Sequence, residues 1–126
     1  MKEAIKTDNV SAAVGPYSQG IKAGSFVFIS GQLPADPSTG ELITDDIAAA
    51  TRQCLENIRA ILQAAGAQMK DVAKVTIFLT NMADFVTVNA AYEKFFPSPA
   101  PARSCIQVAA LPKEAPIKIE AIAAVE

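Results

Sequence analysis

Residues 101–120, PARSCIQVAALPKEAPIKIE, settle how the chain ends, and the fold class follows from how they are read. They form two apolar runs joined by a proline-bounded loop. Ala102 to Val108 alternates apolar and polar residues, which predicts a strand. Leu111-Pro112 and Pro116 punctuate the connection. Ile117 to Val125 predicts a second strand. Each carries an ionisable residue among apolar neighbours: Arg103 near the start of the first, Glu120 in the middle of the second. Residues two apart along a strand share a face. Arg103, Cys105 and Gln107 therefore point one way, and Ser104, Ile106 and Val108 the other. Glu120 goes with Lys118 and Ile122, while Ile117, Ile119, Ala121 and Ala123 make the cleaner apolar face. If the two strands are close in space, a guanidinium, a thiol and a carboxylate can converge. The plain alternative is a cross-strand Arg103–Glu120 ion pair, or two solvated side chains.

Upstream of this stretch, Met82–Phe96 predicts a helix, with Phe85, Val88, Asn89, Tyr92 and Phe95/Phe96 at helical spacing. Asn89 on that face needs hydrogen-bond partners, and backbone groups are the ordinary ones. Pro97, Pro99 and Pro101 end the helix. Val72–Leu79 is rich in β-branched residues and predicts a strand. Ile47, Thr51, Cys54, Leu55, Ile58 and Leu62 recur at steps of three and four, the buried stripe of another helix, with Arg52, Glu56, Arg59 and Gln63 outward. Thr44 is its expected N-cap, Asp45 and Asp46 its first turn, and Gly66 the left-handed residue beyond its end. Pro34 to Gly40 is a turn-rich loop. Gln19–Lys22 and Phe26–Ser30 predict a hairpin turning at Gly24-Ser25, Asn9–Gly15 a loop, and Glu3–Lys6 an edge strand. The predicted order is β-β-β-α-β-α-β-β, an α+β sandwich with helices on one face of the sheet.

A chain of 126 residues is long enough for one domain with a real core, residues 1–126. Its apolar fraction of 51% is high, yet no run reaches the ~18 residues that span a bilayer. The surplus suggests burial between subunits. The N-terminus MKEAIKTDN lacks the apolar core of a signal peptide, so a soluble intracellular protein is expected. A net charge of −2 without a Lys/Arg run argues against a nucleic-acid surface. The two cysteines, Cys54 and Cys105, have neither disulfide-framework nor zinc spacing. There is no histidine, which excludes Ser-His-Asp and Cys-His nucleophiles. Acid–base work falls to Glu, Asp, Lys, Tyr or Cys. No glycine fingerprint for a dinucleotide occurs, and no cofactor is expected.

Four blocks in register resemble the RidA/YjgF family of reactive-intermediate deaminases. They are Gly15-Pro16-Tyr17-Ser18-Gln19; Ser30-Gly31-Gln32-Leu33-Pro34 with Thr39-Gly40-Glu41-Leu42; Phe85 through Val88-Asn89 to Tyr92 and Phe95-Phe96; and Pro101-Ala102-Arg103-Ser104 with Leu111-Pro112 and Ile119-Glu120-Ala121. The resemblance runs from about Ile5 to the C-terminus. Val10-Ser11 stands where the family usually has Ala-Pro, and a missing Pro leaves that backbone less fixed.

The resemblance implies a chorismate-mutase-like homotrimer, with sheets turned toward a central barrel and pockets at subunit interfaces. It implies a cytoplasmic hydrolase converting 2-imino acids and their enamine tautomers to 2-oxo acids and ammonia. Arg103 would hold the substrate carboxylate and Glu120 would activate water. Tyr17 would close the pocket. Ser30, Gly31, Asn89 and Cys105 would contact substrate, with Gly31 allowing close backbone approach. A covalent role for Cys105 lacks the adjacent base it would need. The competing readings are a non-catalytic sensor of 2-oxo acids, a ribonuclease-type translation inhibitor, and a holdase-type chaperone.

Overall fold

The strand that ends the chain lies in the middle of the sheet. In the computed structural model, which describes residues 1–126, β6 (Ile117–Ala124) pairs antiparallel with β3 (Phe26–Gln32) and with β4 (Val72–Leu79). With β1 (Lys2–Ile5), β2 (Gly20–Ala23) and β5 (Ala102–Gln107), the six-stranded order is β1-β2-β3-β6-β4-β5. The β4–β5 pair is parallel, so it needs a crossover, and α2 (Phe85–Tyr92) supplies it. The other helix, α1 (Ile47–Ala64), carries the chain from β3 to β4, and β6 later inserts between them.

Alternation sorts the sheet into two unlike faces. Val27, Ile29, Val75, Ile77, Leu79, Ile117, Ile119, Ala121 and Ala123 are buried under Leu55, Ile58, Ile61 and Leu62 of α1 and Val88 of α2. Each Leu or Ile so buried contributes about 1.5–3 kcal/mol. The opposite face has no helix over it. There Phe26 is 48% and Phe28 42% exposed, and Phe28 pairs with Ile122 across the β3–β6 ladder. The fold is the α+β arrangement expected, with both helices on one face.

Several boundaries differ from the sequence expectation. The N-cap of α1 is Asp46, not Thr44: Asp46 Oδ1 accepts from the Ala49 amide at 3.0 Å. The acidic first turn therefore lies outside the helix. The helix ends as expected, in a Schellman arrangement with Gly66 at φ +79°; the Gly66 amide bonds Gln63 O at 3.1 Å and the Ala67 amide bonds Leu62 O at 2.8 Å. The second helical stretch is shorter in true α-helix, because 3-10 turns at Met82–Asp84 and Glu93–Phe95 flank α2. Strand β3 runs on to Gln32, two residues past the expected end at Ser30. No helix is long and apolar enough to cross a membrane.

Candidate functional site

Arg103 is placed by register. The parallel ladder sets Arg103 beside Val75 and Cys105 beside Ile77, both core residues, so Arg103 and Cys105 lie on the helix-covered face. There α2 presents Phe85, Asn89 and Tyr92, spaced by four and three, along one side. Arg103 Nη1 donates to Asn89 Oδ1 at 2.7 Å. Its guanidinium carbon lies 4.9 Å from the Tyr92 ring centroid and 5.6 Å from that of Phe85. The half-buried amide of Asn89 thus finds its partner in a side chain, not in backbone. No carboxylate pairs with Arg103: the chain's ion pair is Arg59–Glu56 at 2.6 Å on α1. A guanidinium has five N–H donors in a rigid fork. One is used here, so the fork is fixed in orientation and open to an anion. Burial pushes the Cys105 thiol up, more than the Arg103 charge pulls it down. The thiol is protonated at neutral pH and is no nucleophile as it stands.

Glu120 is on the other face. It pairs with Thr76, whose neighbours Val75 and Ile77 are in the core, and β4 separates its strand from β5. The expected convergence of guanidinium, thiol and carboxylate is therefore half met. Arg103 and Cys105 share a face, but the intervening register puts Glu120 on the far side of the same sheet. A cross-strand Arg103–Glu120 ion pair is excluded for the same reason.

Opposite Glu120, β3 bulges. Between the pairs Ile29–Ala121 and Gln32–Ile119, both Ser30 and Gly31 face the single residue Glu120. A Cβ added at Gly31 would sit 2.1 Å from Lys118 Cε. The space over Gly31 is thus filled by the Lys118 stem, whose ammonium lies 5.9 Å from the Phe78 ring centroid. Within one chain, Gly31 makes room for Lys118. Ser30 Oγ donates to Ser18 O at 2.5 Å, and the Ser30 amide to Gln19 O at 3.0 Å. Both bonds tie the Tyr17 loop to the bulge. Tyr17 itself is 53% exposed.

Sequence reasoning overlooked two buried amides that hold these loops. Gln19 accepts from the Thr7 amide at 2.7 Å and donates to Thr7 O at 3.1 Å and Ser11 O at 3.0 Å. This clamp fixes the segment around Val10-Ser11, where a proline was missed. Asn57 on α1 donates to Leu33 O at 3.2 Å and Ala35 O at 3.0 Å. Its signal was an amide inside an otherwise apolar stripe, between Cys54 and Ile61.

Seven residues singled out from the sequence therefore fall into two groups. Arg103, Asn89 and Cys105 stand between β5 and α2, and Glu120, Gly31, Ser30 and Tyr17 belong to the bulge and its loop. Neither of two surface cavities joins them. One, of about 490 Å³, lies between β1 and the loop through Tyr17. The other, of about 640 Å³, lies at the far end of the sheet beside Lys70, Asp71 and Glu126. No cluster of three or more His, Cys, Asp or Glu side chains forms that could hold a metal ion.

The family model described as Endoribonuclease L-PSP matches residues 7–125. The 2-iminobutanoate/2-iminopropanoate deaminase of Salmonella typhimurium is 51% identical over 126 residues, 98% of this chain and of that one. Among solved structures, the YjgF gene product of E. coli superposes with a TM-score of 0.93 at 46% identity, covering 98% of this chain and 99% of that one. E. coli TdcF with bound serine gives 0.93 at 43% identity, with 98% and 99% covered. A family model spanning nearly all of the sequence, and relatives of near-half identity along the same length, make this chain a member of the RidA/YjgF family.

Proposed function

We propose that the protein hydrolyses 2-imino acids to 2-oxo acids and ammonia, in a pocket assembled between copies of the chain. The carrying observation is Arg103: oriented by Asn89 and two rings, and without a carboxylate partner. Such a fork suits the planar carboxylate of an amino-acid-derived substrate. The deaminase relative and the serine bound in TdcF point to the same substrate class.

In this mechanism one copy supplies Arg103, Asn89 and Cys105. A second supplies Glu120, the Ser30-Gly31 bulge and Tyr17, as its exposed apolar sheet face packs in a trimer. Arg103 holds the substrate carboxylate. The imine reacts as its protonated, iminium form: Glu120 takes a proton as the water oxygen bonds to the C=N carbon, and the π pair moves to nitrogen, which gives the neutral carbinolamine. The carbinolamine then collapses: Glu120 returns its proton to nitrogen, the C–N bond breaks, the hydroxyl proton is lost, and the 2-oxo acid and ammonia leave. Tyr17 covers the pocket mouth. The chemistry calls for no cofactor.

The test follows 2-iminobutanoate and 2-iminopropanoate, generated in situ, with semicarbazide trapping the unreacted imine. Wild type is expected to speed imine loss. Hydrogen bonds to charged groups contribute about 1.5–3 kcal/mol, so Arg103→Ala is expected to lose roughly ten- to a hundredfold in kcat/KM. Glu120→Gln is expected to abolish turnover while 2-oxobutanoate still binds. One observation favours a second reading, a 2-oxo acid sensor: a single chain brings no acid to the anion that Arg103 would hold. Binding of 2-oxobutanoate with no turnover by wild type would decide for the sensor.

A further inference from the structure

We propose that Tyr92 is a positioning residue for Arg103, acting through the face of its ring and not through its hydroxyl. This role rests on Arg103 being the anion anchor assigned above. Tyr92 is 6% exposed, yet its hydroxyl is buried without a hydrogen-bond partner. Buried tyrosine hydroxyls ordinarily find one, and an orphaned buried group is destabilising. The hydroxyl therefore does not account for the ring's place. The ring does. Its centroid lies 4.9 Å from the Arg103 guanidinium carbon, inside the range where the negative face of an aromatic attracts a cation. From its other neighbour, Phe96 packs against it at 4.7 Å between centroids, tilted 41°, which fixes the platform.

Three residues of α2 then divide the task of aiming the fork. Tyr92 and, at 5.6 Å, Phe85 bring ring faces to the guanidinium, and Asn89 fixes its rotation by taking Nη1. Ring faces take up none of the guanidinium's N–H donors, and bidentate recognition of a carboxylate uses two of them. Burial pushes the phenol up more than Arg103 pulls it down, so Tyr92 stays neutral and offers no competing charge.

The experiment uses the full-length protein with Tyr92→Phe, Tyr92→Met and Phe85→Leu. Calorimetry reads the Kd of 2-oxobutanoate, and kinetics separate KM from kcat on 2-iminobutanoate. Tyr92→Phe keeps the ring and is expected to match wild type. Methionine fills the space without a π face, so Tyr92→Met is expected to raise both Kd and KM by about five- to thirtyfold with kcat far less changed. Phe85 is half-buried and further from the cation, so Phe85→Leu is expected to give a smaller rise, readable even if Tyr92→Met fails to fold. Binding by Tyr92→Met as tight as by Tyr92→Phe would overturn the proposal. So would a Phe variant as weak as the Met variant, or an unchanged Kd in Phe85→Leu. Wild type that binds 2-oxobutanoate, loses affinity in Tyr92→Met and never turns over imine would sink the deaminase reading alone. Wild type that does not bind 2-oxobutanoate would sink both.

Discussion

Cys54 and Cys105 carry the same group into different surroundings, and burial sets what each can do. Cys54 lies fully buried on the stripe of α1, and burial pushes its thiol far above the ordinary value of 9.0. A raised folded-state pKa favours the protonated fold. That contribution is complete below about pH 9 and is lost as pH rises, because the unfolded thiol ionises while the folded one does not. Each such thiol lowers stability by up to about 1.4 kcal/mol per pH unit in that window. Urea midpoints taken between about pH 8 and about pH 10 are expected to fall more steeply for wild type than for Cys54→Ala. Parallel slopes would refute the assignment. Cys105 is less buried, and the Arg103 charge offsets part of its shift. It suits a pocket wall better than a nucleophile.

At the scale of elements, local chemistry fixed the helix ends, and β6 fixed the register of everything beside it. The cap of α1 tests the first point. Asp46→Ala removes the oxygen that satisfies the Ala49 amide, and is expected to cost about 1 kcal/mol, seen as a lower urea midpoint at unchanged slope. Thr44→Ala, two residues earlier and without a cap bond, is expected to leave the midpoint nearly unmoved. Equal shifts in the two variants would restore Thr44 as the cap. The second helix is less regular, divided by 3-10 turns, and its Phe85–Asn89–Tyr92 side is given over to Arg103.

For the whole molecule, the decisive fact is parity: Arg103 and Glu120 are on opposite faces of one sheet. If the pocket is built between copies, two impaired variants can repair each other. Arg103→Ala retains Glu120, and Glu120→Gln retains Arg103. Unfolding an equal mixture and refolding it together is expected to return about a quarter of wild-type turnover, the random share of interfaces with both groups intact in a cyclic assembly. Refolded alone, Arg103→Ala is expected to return no more than about a tenth of wild-type turnover, and Glu120→Gln none. Lack of recovery in mixtures shown by mass to be mixed oligomers would place the whole site within one chain. Sedimentation of the wild type gives the subunit number: the exposed Phe26 and Phe28 face predicts self-association, and the family resemblance implies a trimer.

Elements legible in the sequence were those written in short-range periodicity. The buried stripe of α1, the β-branched run of β4, the alternating faces of β5 and β6 and the left-handed Gly66 are each fixed by neighbours within a few residues. Composition alone removed histidine-based chemistry, and the four motif blocks named the candidate residues. Tertiary structure alone decided how those residues relate. Each strand's alternation says which residues share a face, but not which face of one strand joins which face of the next. That depends on pairing between distant segments, such as Thr76 with Glu120 and Val75 with Arg103. The partners of Asn89, Gln19 and Asn57 were hidden for the same reason. An amide on an apolar face announces that it needs a partner, and only the packed chain says which one it has.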